Sequence, residues 1–128
     1  MCIRDRLKAF GDEGAGASGD VPVYVGGPVE SKLGFVLHST DYRRTGTVDV
    51  TGDVAMTANR DAIRDIAAKT GPKKFMLVFG YAGWGAGQLE GELARNHWYT
   101  APLDQALVFE APRDKVWDRA VERRTRDL

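Results

Sequence analysis

The sequence predicts an α+β domain, on three observations. Strand-like segments cluster between residues 21 and 58, and helical segments then alternate with single strands. One run, Lys74–Gly80, is apolar on both faces and reads as the central strand of a sheet. A regular βαβ winding would alternate strand and helix from the start. No internal repeat or second hydrophobic core divides residues 21–122. A length of 128 residues suits one domain that buries roughly two-thirds of its unfolded surface. The domain is read as 21–128.

The segment 11–20 contains no large apolar side chain that could offset its ordering entropy. Residues 1–20 are therefore read as a disordered or non-native N-terminal segment. Val21, Val23 and Val25 alternate with Pro22 and Tyr24 as a short strand ending at Gly26-Gly27-Pro28; Pro22 confines it to an edge or a strand start. Leu33–Ser39 is a second strand, and Thr47–Thr51 with Asp53–Ala58 form a hairpin around Gly52. Asn59 caps a helix whose stripe is Ala62, Ile63, Ile66 and Ala67, with Arg60, Asp61, Arg64 and Asp65 facing water and Gly71-Pro72 as its stop. After Lys74–Gly80, a glycine-rich turn leads to a helix near Gln88–Asn96. Ala106–Phe109 reads as a last strand. Pro112 then opens a C-terminal helix with Val116, Trp117, Ala120 and Val121 inward.

Composition narrows the function classes. Lys+Arg and Asp+Glu both count 18, so the net charge is zero. That argues against a dedicated nucleic-acid binder and favours self-association. A single cysteine, Cys2, suits a reducing compartment, and the expected location is cytoplasmic. No apolar run approaches the roughly 20 residues of a membrane helix, and the N-terminal residues lack the apolar stretch of a secretory signal.

The turn Gly80-Tyr81-Ala82-Gly83-Trp84-Gly85-Ala86-Gly87 has the strand–turn–helix setting in which backbone N–H groups can approach a phosphate. It lacks the Lys-Ser/Thr ending of a P-loop, and Gln88 stands where a dinucleotide fingerprint would place its third glycine. The glycines read instead as a tight turn that lets Trp84 and Tyr81 fold over the core. Glu90 and Glu92 lie two positions apart and diverge by about 160° around a helix, so they do not converge on one site. Glu90 is expected to meet the macrodipole or the N–H groups of the turn. His38, Ser39 and Asp41 collect triad residue types, but neighbours on a strand face opposite ways. His38 is expected to be half-buried and bonded to a neighbour.

Two histidines and a terminal cysteine, with no ligand spacing, suggest no metal site. Nothing points to a cofactor. Arg113, Lys115, Arg119, Arg123, Arg124 and Arg126 interleave with Asp114, Asp118 and Glu122 as an ion-paired, solvated helix face. Trp84 and Trp98 flank the second helix and are expected to pack in the core, with a partner-binding groove between them as the competing reading.

Gly26-Gly27-Pro28-Val29, Gly34-Phe35-Val36-Leu37-His38-Ser39, Gly80-Tyr81-Ala82-Gly83-Trp84 and Gly87-Gln88-Leu89-Glu90, with Glu92 and Trp98, occur in order. In these segments, over about residues 21–118, the chain resembles the AlgH/YqgE family. The resemblance implies an α+β fold with a mixed, bifurcated β-sheet bent into a pseudo-barrel. It also implies a bacterial, cytosolic protein without assigned catalytic residues, carrying a family label as a transcriptional regulator. Members carry a further N-terminal segment and a longer tail, and residues 1–6 show no likeness to them. The chain is therefore read as a fragment.

The candidate functional surface is Gly80, Tyr81, Gly83, Trp84, Gln88, Glu90 and His38, none with a catalytic role. The leading reading is a non-enzymatic regulatory or interaction module acting through an unidentified protein partner. A small-ligand or nucleotide-binding protein using Gly80–Gly87 comes second. A direct DNA-binding regulator comes third, because the chain lacks a helix-turn-helix pattern.

Overall fold

The computed structural model describes residues 21–125. The expectations for residues 1–20 and for Arg126 lie outside the described residues. The chain forms two compact units that divide between Ala82 and Gly83.

The first unit is a five-stranded mixed sheet with one helix. Its strands are β1 (Val23–Val25), β2 (Val29–Ser39), β3 (Thr47–Thr51), β4 (Val54–Thr57) and β5 (Phe75–Tyr81), in the order β1-β5-β2-β4-β3. β1 runs parallel to β5, with Val23 opposite Leu77; the other pairings are antiparallel. The α+β class and the mixed sheet are found as expected. Among the described residues the sheet is open, with β1 and β3 as its edges. Pro22, which donates no ladder hydrogen bond, lies just before the edge strand β1.

Two expectations need correction. β5 is paired on both sides, but the middle strand is β2, which is also longer than its apolar run. β2 begins at Val29, opposite Tyr81, and its register then shifts before Gly34 meets Phe79. Glu30 adopts φ 44 inside that irregularity. The polar residues 30–32 are exposed there, which hid the strand from a search for apolar alternation.

Helix α1 (Arg60–Ala67) packs on one face of the sheet. Asn59 caps it, its side-chain oxygen accepting from the Asp61 N–H at 2.9 Å, a contact that contributes about 1 kcal/mol. Ala62, Ile63, Ile66 and Ala67 recur at helical spacing and bury against Val36, Leu77 and Phe79. The helix stops before Gly71-Pro72: Lys69 turns left-handed at φ 60, and the Thr70 N–H returns to the Asp65 carbonyl at 2.8 Å.

Asp65 does not simply face water. It accepts from Arg44 Nε at 2.5 Å and Nη2 at 3.0 Å, and from the Tyr42 hydroxyl at 2.5 Å. The Arg44 guanidinium holds its carboxyl below the usual range, and partial burial beside that carboxylate pushes the Tyr42 phenol up to about 12. This cluster ties the β2–β3 connection to α1.

The second unit contains α2 (Gln88–Ala94), a π-helical turn (Ala106–Glu110), a 3-10 turn (Arg113–Lys115) and α3 (Val116–Glu122). The expected last strand at Ala106–Phe109 is thus helical. The Asp104 carboxylate accepts from the Ala106 N–H at 2.9 Å, and the Ala111 N–H closes back on the Ala106 carbonyl at 2.9 Å. Local capping overrides the β-propensity of Leu-Val-Phe.

Of the four residues expected to face inward on α3, Val116, Ala120 and Val121 are half-buried, whereas Trp117 is 67% exposed. The basic stretch reaches beyond its own helix. Arg113 donates to the Val108 and Ala111 carbonyls, and Arg123 pairs with Asp104. Among the described residues no helix is long and apolar enough to cross a membrane.

Candidate functional site

The glycines of the central turn have separate structural causes. Gly80, the penultimate residue of β5, has φ 76, and a Cβ there would overlap the Gly27 carbonyl oxygen. A Cβ on Gly27 would strike the Tyr81 carbonyl, and one on Gly26 the Gly80 carbonyl oxygen. The Gly26 N–H donates to the Phe79 carbonyl at 2.8 Å. Gly26-Gly27 and Gly80-Tyr81 are therefore two sides of one close backbone crossing. Tyr81 packs edge-on to Phe35 with ring centroids 6.1 Å apart. Gly87 is the N-cap of α2 at φ 75, while Gly83 is exposed.

Gln88 folds back over the turn: its Oε1 accepts from the Gly85 N–H at 3.1 Å. One turn later on the same helix face, Glu92 gathers three donors. Trp98 Nε1 lies 2.6 Å from its Oε2, Trp84 Nε1 lies 3.2 Å from that oxygen, and Gln88 Nε2 lies 3.2 Å from Oε1. The two indoles pack edge to face, with centroids 5.7 Å apart and planes at 77°. The Trp98 and Trp84 hydrogen bonds hold the Glu92 carboxyl below its usual range.

Glu90 stands in the first turn of α2, where its charge favours the macrodipole as expected, but the expected contact with the turn's N–H groups is corrected. The Gly85 N–H is met by Gln88 rather than by Glu90, which is exposed and lines an open groove of about 770 Å³ with Leu93, Trp98, Tyr99, Thr100 and Arg124. Nor are the indoles core residues: Trp84 and Trp98 are 39% and 48% exposed. Glu92 and Trp98 were absent from the candidate surface. The four-residue step from Gln88 to Glu92 was the signal that could have found the carboxylate.

His38 is not half-buried but fully buried, with no exposed surface. Its Nδ1 lies 2.7 Å from the Ser39 carbonyl oxygen, an acceptor only, so Nδ1 carries the proton and donates. In the neutral ring Nε2 then accepts from the Thr57 hydroxyl at 2.8 Å. Thr57 accepts in turn from the Thr47 hydroxyl at 2.7 Å, and the Arg44 N–H donates to Thr47 at 2.9 Å. The ring also meets Tyr42 edge-on at 5.4 Å.

The Ser39 hydroxyl donates instead to Asp41, which lowers the Asp41 carboxyl, and accepts from the Lys74 N–H at 3.1 Å. The His38 ring and the Ser39 hydroxyl thus stay apart as expected, while Ser39 and Asp41 meet. His38 joins β2 to β4 and β3, and Ser39 with Asp41 fastens the approach to β5. Among the described residues no three of His, Cys, Asp and Glu are placed to hold a metal ion.

The AlgH-like family model (DUF179) matches residues 3–128. The chain belongs to the AlgH-like family. The match takes in residues 3–6, which corrects the expectation that residues 1–6 share no likeness with the family. AlgH-like relatives include the UPF0301 protein of Rhodospirillum rubrum, 54% identical over 97 residues that cover 75% of this chain and 50% of the relative. The UPF0301 protein of Rhizobium rhizogenes is 46% identical over 102 residues, covering 80% and 51%. The solution structure of the AlgH protein from Pseudomonas aeruginosa superposes with a TM-score of 0.80 at 36% identity, covering 96% of this chain and 66% of that one. The chain spans about half the length of these two UPF0301 relatives.

In this AlgH-like chain the motif segments have distinct structural roles. Gly-Gly-Pro and Gly-Tyr form the crossing in the sheet unit, and Gln88 of Gly-Gln-Leu-Glu joins Glu92 in the indole mount of the C-terminal unit. The mount carries a pH expectation. The folded Glu92 pKa is depressed, so its stabilising contribution is present above the ordinary value of 4.5 and lost as pH falls through the folded pKa. The indole N–H resonances of Trp84 and Trp98 should move together below that value, while that of Trp117 stays put. In Glu92→Gln the joint transition should be absent. Persistence of the transition in that variant would remove Glu92 as its cause.

Proposed function

We propose that this AlgH-like chain is a non-enzymatic interaction module that acts through a protein partner, with the Trp84–Trp98 surface of the C-terminal unit as its contact face. The observation that carries this reading is the shared mount: two half-exposed indoles hydrogen-bonded to one carboxylate. Aromatic side chains held in a fixed pose lose little entropy on binding, and such residues dominate interface energetics. Any effect on transcription then runs through the partner, in a cytoplasmic setting.

The nucleotide reading draws less support. The Gly85 N–H that a phosphate would use already meets Gln88, and Glu92 adds a negative charge beside the turn. DNA binding is disfavoured by the zero net charge.

Partner capture from a bacterial lysate tests the interaction reading, with wild type compared against Trp84→Ala, Trp98→Ala and the sheet-unit control Arg43→Ala. The expected result is a protein set retained by Arg43→Ala and lost from both tryptophan variants. The same set on all four baits would sink the reading.

A further inference from the structure

We propose that the groove beside Trp98 and Tyr99 receives a cationic side chain, an arginine or lysine presented by a protein partner, and that Arg124 of this chain occupies it in the partner's absence. This names the partner chemistry of the interaction module above and rests on that reading.

Three observations converge. The groove combines ring surface from Trp98 and Tyr99 with the exposed carboxylate of Glu90 and a short apolar floor at Leu93. Ring faces attract cations through their quadrupole, and a carboxylate at the rim adds Coulombic attraction. Secondly, Trp98 donates its indole N–H to a carboxylate, Glu92, at 2.6 Å, and Trp84 donates to the same oxygen. A proton shared with an anion leaves more electron density on the ring, which strengthens its attraction for a cation. Glu92 thus places a second negative charge behind the indole pair.

Thirdly, the chain demonstrates the match itself. The Arg124 guanidinium lies over the Tyr99 ring, 5.3 Å from its centroid, and Tyr99 also leans on Trp117 at 6.3 Å. Arg124 sits on a short strap of exposed attachments. Thr125 pairs with Thr100 through one backbone hydrogen bond of 2.8 Å and a hydroxyl contact of 2.8 Å, and Arg123 pairs with Asp104. Exposed contacts of this kind are individually weak, so an external arginine can replace Arg124 without dismantling the helices.

The test follows the indole N–H resonances of the 15N-labelled chain during titration with acetyl-Gly-Arg-Gly-amide, and with the same peptide carrying neutral citrulline. The arginine peptide should shift the Trp98 resonance saturably, and less so at high salt; the citrulline peptide should not. Arg124→Ala should bind the arginine peptide about threefold more tightly, and Glu90→Gln about threefold more weakly. Both residues are exposed, and dispersion of the same spectra reports folding.

Equal shifts from the citrulline peptide would overturn the proposal, as would unchanged or weaker binding by Arg124→Gln and Arg124→Ala alike. If partner capture depends on Trp98 while the arginine peptide fails to bind, the cation receptor is wrong and the interaction module stands. If the peptide binds as expected but capture is unaffected by the tryptophan variants, the module reading fails instead.

Discussion

Gly80→Ala should cost the sheet unit about 2–5 kcal/mol, a large share of the stability of any small domain. Two separable penalties make up that loss. At φ 76 an alanine enters the left-handed region, which costs roughly 1–2 kcal/mol. The new Cβ would also overlap the Gly27 carbonyl oxygen, with the Val29 carbonyl oxygen 3.3 Å away. These are backbone atoms of the β1–β2 connection and of the first residue of β2, not flexible side-chain tips. Relief therefore means displacing β1, which pairs with β5 through only three residues.

Gly46→Ala and Gly52→Ala isolate the dihedral penalty, because both glycines have positive φ but no atom within 4 Å of an added Cβ. Denaturant unfolding of the three variants should show Gly80→Ala losing clearly more than either control. Equal losses would mean that the crossing yields freely and that Gly80 is needed for its dihedral alone.

Leu77→Ala should lower stability by about 3 kcal/mol, within the 2–5 kcal/mol range of large-to-small core changes. Leu77 is 1% exposed at the interior of β5, between β1 and β2, and belongs to the cluster that α1 covers. Its neighbours come from the two flanking strands and from the helix, so the void cannot collapse by moving one side chain. Leu77→Met keeps most of the volume and should cost under about 1.5 kcal/mol. Urea midpoints for the two variants give the contrast directly. Similar small losses for both would show that the cluster repacks around the cavity.

Much of the sheet unit was legible in the sequence because its signals are local. Asn59 followed by the stripe at 62, 63, 66 and 67 needs only helical period and capping chemistry, and the structure matches both. The hairpin around Gly52 needs only two short strands and a turn. The run Ala106–Phe109, helical rather than extended, shows the limit of the same signals. Four apolar residues carry no period, and the deciding group was a carboxylate two positions upstream, at Asp104.

The candidate surface divides in the same way. Trp84 and Gln88 stand at the indole mount, whereas the spacing of Glu92 from Glu90, two positions away, gives no sign of its role. The relevant partners were Gln88, four positions before it, and Trp98, brought back by the left-handed Asn96 at φ 58. His38 was correctly separated from Ser39 because strand alternation alone forbids their pairing. Its full burial depended on Thr57 and Tyr42 arriving from elsewhere in the chain.

By itself the sequence determined the α+β class, the α1 stripe and cap, the placement of most strands and the separation of His38 from Ser39. Each follows from side-chain period, backbone dihedral preference or capping within a few residues. Tertiary structure alone decided that β1 lies parallel to β5, that Gly27 and Gly80 must both lack a side chain, and that one carboxylate holds two indoles. Those outcomes depend on distances between segments far apart along the chain, where excluded volume and the demand to satisfy each polar group act on the folded arrangement and leave no periodic trace in the order of residues.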